Sequence, residues 1–387
     1  MAITRSLGKK GIEVTCGDSS KKARSFYSKY CKNRVIYPSQ NDEPERFLDF
    51  LTDHLKNTRY DVFFPVTDAT ILCILKDIDQ LLHYTNIPIN DYETQMKALD
   101  KSQTLRIASE VNVPFPKTFH IKDIGELEDI ANTLDYPVVI KPRQTAYRLA
   151  DRVCRGITTC VSSREEFTAK YLELHQIIPY PLIQEFISGP EIGLYVLIHN
   201  GKLKAVFSQR RLRSFDPLGG ASVLRQSVRV DPQMMEYTLR LLGKIGWNGI
   251  AMTEFKIDSR DHTPKLMEIN GRFWGSLQTS AVCGVDFPYL LFRIMMGEDI
   301  EPVMEYREGI KCRYLLGDFT HLFKVMKGSP SHIFKYPKRL PTLWNFMKFY
   351  QKDMFYDNFS SGDYMVGIRT FLNFLFSIPK LLFGRAR

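Results

Sequence analysis

The sequence predicts a mixed α/β and α+β protein of two or three domains, on three observations. Its 387 residues are 44% hydrophobic and 25% charged, enough apolar material for more than one core. Over residues 1–95, strand-like and helix-like runs alternate, which implies a parallel sheet. Farther on, paired apolar runs flank polar turns at 194–209 and 250–273, which implies antiparallel hairpins.

Residues 2–10 read as a helix, 11–16 as a strand after a glycine stop, 21–31 as a second helix and 34–37 as a short strand. Residues 44–56 place Phe47, Leu48, Leu51 and Leu55 at helical spacing. The run 61–66 (DVFFPV) reads as a buried strand, 70–82 as the next helix and 87–89 as a short strand. Asp68 follows a strand end, where open α/β sheets bind ligands; it equally suits an N-cap for the helix.

A helix begins at Asp100-Lys101 and ends before Val113-Pro114. Residues 136–142 (YPVVIKP) form a buried strand ending in Lys141, a costly place for an ammonium unless an anion meets it. The stretch 143–156 carries one glycine, Gly156, and four arginines, at 143, 148, 152 and 155. A strand at 181–188 is followed by Gly189-Pro190-Glu191, and a hairpin then turns at Asn200-Gly201. Strand alternation puts Arg211 and Arg213 on one face. Residues 219–222 read as a flexible loop, 232–245 as an amphipathic helix, and 275–285 and 286–297 as two further helices.

The chemistry concentrates at 252–274. One strand, 250–257, carries Glu254; the next, 265–273, carries Glu268, Asn270 and Arg272 on one face and Ile269 on the other. Hairpin pairing brings Glu254 beside Glu268. Two carboxylates and an amide oxygen are hard ligands suited to Mg²⁺ held against substrate phosphates, and Arg272 offers a fork for a phosphate oxygen. A polar, solvated hairpin face is the alternative, but Leu266, Met267, Ile269, Phe273 and Trp274 make the surroundings apolar.

An upstream glutamate, a turn, then M-E-I-N-x-R resembles the metal-binding strands of the ATP-grasp superfamily, in particular its carbamoyl-phosphate-synthase-like and D-alanine–D-alanine-ligase-like members. The resemblance covers about 96–300, as subdomains of about 96–180 and 181–300. Residues 1–95 resemble the Rossmann-like domain that precedes that core, with its first strand missing. The resemblance implies ATP and Mg²⁺ (Mn²⁺ as an alternative) as cofactors, with Glu254, Glu268 and Asn270 as metal ligands. It implies Lys101 and Lys141 on the nucleotide phosphates, Gln184, Glu185, Phe186 and Ile187 as the adenine-reading hinge, and Glu191 on the ribose. Arg272, Lys141 and Arg213 are the catalytic candidates, and Arg225 and Arg229 candidates for a substrate carboxylate. The family's glycine-rich phosphate loop has no match at 143–156.

The implied reaction is ATP-dependent activation of a small-molecule carboxylate as an acylphosphate, followed by attack of an amine to give an amide, ADP and phosphate. A nucleotide-binding regulatory module and a small-molecule kinase of the same fold are the alternatives. Small-molecule substrates are the implied partners, nucleic acid is not expected, and a homodimer is compatible.

The net charge of +10 is uneven: residues 324–387 hold eleven Lys/Arg and three Asp, a local excess of +8. Within this basic, aromatic-rich and helical extension at 301–387, Ile368, Phe371, Leu372, Leu375 and Phe376 follow helical spacing, which reads as an interfacial helix at an anionic membrane or as a helix docked on the body. The seven scattered cysteines form no C-x-x-C pair, and no apolar signal region follows Met1. The expected place is cytoplasmic, peripheral on the inner face of the membrane if the tail binds it.

Overall fold

The computed structural model describes residues 1–149, 151–329 and 336–383, with side chains up to residue 376. Of the stretches read from the sequence, Ala150 in the arginine-rich stretch and residues 330–335 and 384–387 of the C-terminal extension lie outside the described residues. The N-terminal part holds α1 (Ala2–Lys9), β1 (Thr15–Asp18), β2 (Asn33–Ile36), α2 (Pro44–Asn57), α3 (Asp68–Ile74), α4 (Ile78–Leu82) and α5 (Tyr92–Leu99). β1 pairs with β2 in parallel, and Val62 bridges Asn86 in parallel.

Three expectations fail in this part. The segment 21–31 makes only a 3₁₀ turn, Arg24–Tyr27, because Phe26 is its one buried apolar side chain. The runs 61–66 and 87–89 make no strand, only a single bridge from Val62 to Asn86, just before the second run; Pro65 and Pro88 have no N–H to continue a ladder. The helix at 70–82 breaks after Ile74 into α3 and α4, and both halves still bury Ile71, Cys73, Ile74, Ile78 and Leu81.

The next part holds α6 (Lys101–Glu110), β3 (Thr118–Phe119), α7 (Leu127–Thr133), β4 (Val138–Lys141), β5 (Ala146–Arg148), β6 (Val153–Arg155), β7 (Thr159–Val161), α8 (Arg164–Ile177) and β8 (Leu182–Glu185). Its sheet has the order β3-β8-β4-β7. Phe167 and Tyr171 of α8 pack on Ile140 and Ile183 at the centre of its core.

The last part holds β9 (Glu191–His199), β10 (Lys202–Asp216), β11 (Gly219–Ser227), α9 (Pro232–Ile245), β12 (Gly249–Ile257), β13 (Pro264–Asn270), α10 (Leu277–Cys283), α11 (Phe287–Met295), β14 (Lys311–Arg313), α12 (Leu315–Lys327), α13 (Arg339–Phe346), β15 (Met354–Tyr356) and α14 (Tyr364–Phe383). The described residues form a seven-stranded sheet ordered β13-β12-β9-β10-β11-β14-β15. Asn200 and Gly201, at φ 50° and 72°, make the β9–β10 turn that two left-handed residues require. α9 starts with Pro232 after the Asp231 cap, ends at left-handed Gly246, and buries Met234, Tyr237, Leu241, Leu242 and Ile245 on one face. The opposite face of the sheet carries a second core, with Phe207, Trp274, Leu277, Phe287 and Leu291.

Two readings of this part are corrected. Residues 219–222 are the start of β11, with Ser222 opposite Ser214. The region 301–387 is not purely helical, since β14 pairs with β11 and β15 with β14. Buried ion pairs tie it in: Asp318 receives Arg213 and Arg313, Asp357 receives Arg225, and Asp363 receives Arg5 of α1 at 2.7 Å. Among the described residues no helix is long and apolar enough to cross a membrane.

Candidate active site

The β12–β13 hairpin sets Glu254 directly opposite Glu268 and Met252 opposite Asn270. Simple alternation fails at Met267, where β13 bulges so that Phe255 pairs with Leu266. The extra residue lets Leu266 and Ile269 both enter the core while Glu268 stays beside Glu254. The turn after β13 needs Gly271, because a Cβ there would lie 2.2 Å from the Trp247 ring.

Cations surround this acidic pair. Glu268 Oε2 lies 3.2 Å from Lys101 Nζ, and its Oε1 accepts from Asn270 Nδ2 at 2.8 Å. Glu254 Oε1 accepts from Arg211 Nη2 at 3.0 Å, and the other Arg211 terminal nitrogen pairs with Glu191. Lys256 Nζ lies 3.2 Å from Glu191 Oε1 and donates to the Ile187 carbonyl at 3.3 Å. Burial pushes Lys141 down to about 8, against the upward pull of Glu268. Burial likewise opposes ionisation of Glu268, but Lys101, Asn270 and Lys141 hold it at about 2. Glu254 stands above the usual carboxylate range, through burial first and then its neighbours Glu268 and Glu191, with Arg211 pulling the other way.

Arg272 reaches out of this group. Its Nε and Nη2 donate to Asp68 at 2.7 and 2.8 Å, and Nη2 also reaches Asn270 Oδ1 at 3.1 Å. The cap of α3 is Thr67, whose side chain accepts from Thr70 N, so Asp68 is not the N-cap. Lys101 opens α6 one residue after the Asp100 cap, which accepts from Ser102 N. The structure thus gathers Lys101, Lys141, Glu191, Glu254, Glu268, Asn270 and Arg272.

Other candidates lie apart from the acidic pair. Arg213 gives Nε and Nη2 to Asp318 at 2.6 and 2.5 Å, and Arg225 gives its fork to Asp357 and its Nε to Thr279. Arg229 is exposed. In the expected hinge, Gln184 is buried with Nε2 on Thr118, and the Glu185 carboxylate joins Lys117 N, Lys265 and Arg260. Phe186 lies under Lys256, whose ammonium is 5.5 Å from the ring centroid. Ile187 is buried. The hinge is pressed on β12: at Gly189, φ 150°, a Cβ would fall 1.8 Å from the Ile257 carbonyl oxygen.

The arginine-rich stretch is a hairpin, β5–β6, seated on the N-terminal part. Arg148 donates to the Cys73 carbonyl at the end of α3 at 3.0 Å and pairs with Glu45, and Val153 N bonds the Asn41 carbonyl. Sequence reasoning passed over Lys256. The signal was there: two residues after Glu254 on one strand, it shares that face.

A family model described as "ATP-grasp in the biosynthetic pathway with Ter operon" matches residues 178–317. The alpha-aminoadipate–LysW ligase LysX of Sulfurisphaera tokodaii is 23% identical over 188 residues, 47% of this chain and 62% of its own. The carbamoyl-phosphate synthase of Methanobrevibacter smithii is 25% identical over 252 residues, 62% of this chain and 65% of its own. The chain therefore spans just under two thirds of the length of these relatives. Among solved structures, the biotin carboxylase domain dimer of Hydrogenobacter thermophilus 2-oxoglutarate carboxylase, with MgADP, ADP and bicarbonate, superposes with a TM-score of 0.62 at 16% identity, over 80% of this chain and 70% of that one.

Proposed function

We propose that this chain is an ATP-grasp enzyme, an ATP- and Mg²⁺-dependent carboxylate–amine ligase, from its similarity to that family. The observation that carries the reading is the Glu254–Glu268 pair set among Lys101, Lys141, Arg211 and Lys256. Two opposed carboxylates suit a hard divalent cation; Asn270 turns its amide nitrogen to Glu268 and its oxygen to Arg272, so its oxygen would reach the ion only after the amide flips. Among the described residues no three His, Cys, Asp or Glu side chains cluster as a metal cage. Mg²⁺ does not need one, since it is commonly held by one or two carboxylates and substrate phosphates. When bound, the ion neutralises charge on the phosphoryl oxygens; Glu254, Glu268 and Asn270 would hold it.

The chain's own residues supply positioning. Lys101 and Lys141 would hold the transferring phosphoryl group, Lys256 and Glu191 would meet the ribose side of the nucleotide, and the 184–187 backbone would face adenine. Arg272 would orient Asn270 from behind, and a catalytic part for Arg272 itself or for Arg213 requires its carboxylate partner to be displaced. A substrate carboxylate oxygen attacks the γ-phosphorus, the bond to the bridging oxygen breaks and ADP leaves. An amine then attacks the acyl carbon, phosphate leaves, and the amine proton passes to solvent. The amine and carboxylate are small molecules in this reading. Homodimerisation and a peripheral contact of the C-terminal segment with an anionic membrane complete it, with a cytoplasmic place.

Release of ADP from ATP, screened with pools of amino acids and small carboxylic acids, tests the reading. Release that needs both a carboxylate and an amine supports it. Release with the carboxylate alone points to a kinase, and ATP binding without release in any pool points to a regulatory module.

A further inference from the structure

From residue 319 to 376, Asp357 and Asp363 are held in ion pairs, while a set of apolar and basic side chains lies outside. α12 exposes Phe319, Phe323 and Met326, one stripe at spacings of four and three. α13 and the residue after it expose Leu340, Leu343, Trp344 and Met347. α14 exposes Ile368, Leu372, Leu375 and Phe376, while Val366 and Thr370 face the body. Phe319 joins the three helices, its ring 6.2 Å from Phe346 and 5.5 Å from Phe374. Trp344 is 70% exposed and Tyr350 97%, and these are the side chains that settle where water meets hydrocarbon.

Charge indicates what covers this face. Asp357 and Asp363 are held by Arg225 and Arg5, which leaves Asp353 as the remaining acid among the described residues from 319 to 376. Against it stand six exposed cations: Lys327, Lys338, Arg339, Lys348, Lys352 and Arg369. We propose that this three-helix face docks on an anionic lipid bilayer and lies in the headgroup region without crossing it. A second copy of the chain fits poorly, because a two-fold contact would set these cations against themselves. The proposal gives a surface to the peripheral contact named above and does not depend on the ligase chemistry.

Co-sedimentation of the full chain with vesicles of about one part phosphatidylserine to three parts phosphatidylcholine, and with phosphatidylcholine alone, tests it. Binding to the anionic vesicles at low salt should fall as salt rises, and should exceed binding to neutral vesicles by roughly tenfold or more. Lys338→Glu with Arg339→Glu should weaken it by roughly tenfold or more, as should Leu340→Ala with Trp344→Ala. Both pairs should leave the thermal midpoint unchanged, because the four side chains are exposed. No binding at low salt, equal binding to both vesicles, or indifference to both variant pairs overturns the proposal. Self-association that either pair abolishes, without vesicle binding, also overturns it in favour of a protein contact.

Discussion

Asp68 and Arg272, 204 residues apart in sequence, form a two-pronged ion pair that ties the N-terminal part to the end of the candidate metal strand. Both groups are largely withdrawn from solvent, at 8% and 19% side-chain exposure. Removing one partner leaves the other buried without compensation, which costs about 3–5 kcal/mol at fully buried sites. Asp68→Ala should therefore lower stability by about 3 kcal/mol in urea unfolding, and a cycle with Arg272→Ala should show non-additive losses. Additive losses would mean that the pair does not act as a unit.

Glu268→Gln keeps the shape of the side chain and removes its charge. It should abolish Mg²⁺-dependent ADP release while leaving the circular dichroism spectrum intact. Undiminished release in this variant would remove the metal assignment.

Lys141 carries a pH signature. Its pKa stands at about 8 in the fold against an ordinary 10.5, so between those values the folded chain binds fewer protons than the unfolded one. Its contribution to stability thus rises with pH across that window. ATP affinity should fall over the same range, since a neutral amine offers phosphate no charge. Lys141→Arg should flatten the fall, as read by calorimetric titration from pH 7 to about 10.

Lys256 spans the hinge and Glu191. Lys256→Met keeps the stem and removes the ammonium. KM for ATP should rise by roughly tenfold with kcat little changed; a fall in kcat alone would place this lysine at the reacting phosphoryl group instead.

The candidate site was legible where its chemistry is carried by local pattern. Two strands and a turn marked Glu254 and Glu268 as neighbours, although the bulge at Met267 that sets them directly opposite has no local signal, and a lysine ending an apolar strand marked Lys141. What escaped depends on distant chain. Nothing near Arg213 or Arg225 announces that Asp318 and Asp357 will claim them, because those carboxylates arrive from 105 and 132 residues away. Asp68 was singled out for its place after a strand run; the run made no strand, and the partner it meets lies just beyond β13. In the N-terminal part, Pro65 and Pro88 outweighed the β-propensity of their neighbours, whereas α9 kept the bounds its spacing implied.

The Arg5–Asp363 bridge carries a consequence for synthesis. Its two ends are 358 residues apart, and Arg5 also donates to the carbonyls of Asp357 and Asn358. At translation rates of about 5–20 residues per second, Arg5 leaves the ribosome roughly 20–70 s before its partner does. During that interval α1 lacks the groups that neutralise its guanidinium, so its native seat forms after translation of the C-terminal segment and not before. Maturation of this chain is thus timed by its last hundred residues, and a stalled nascent chain would expose α1 to chaperones and proteases.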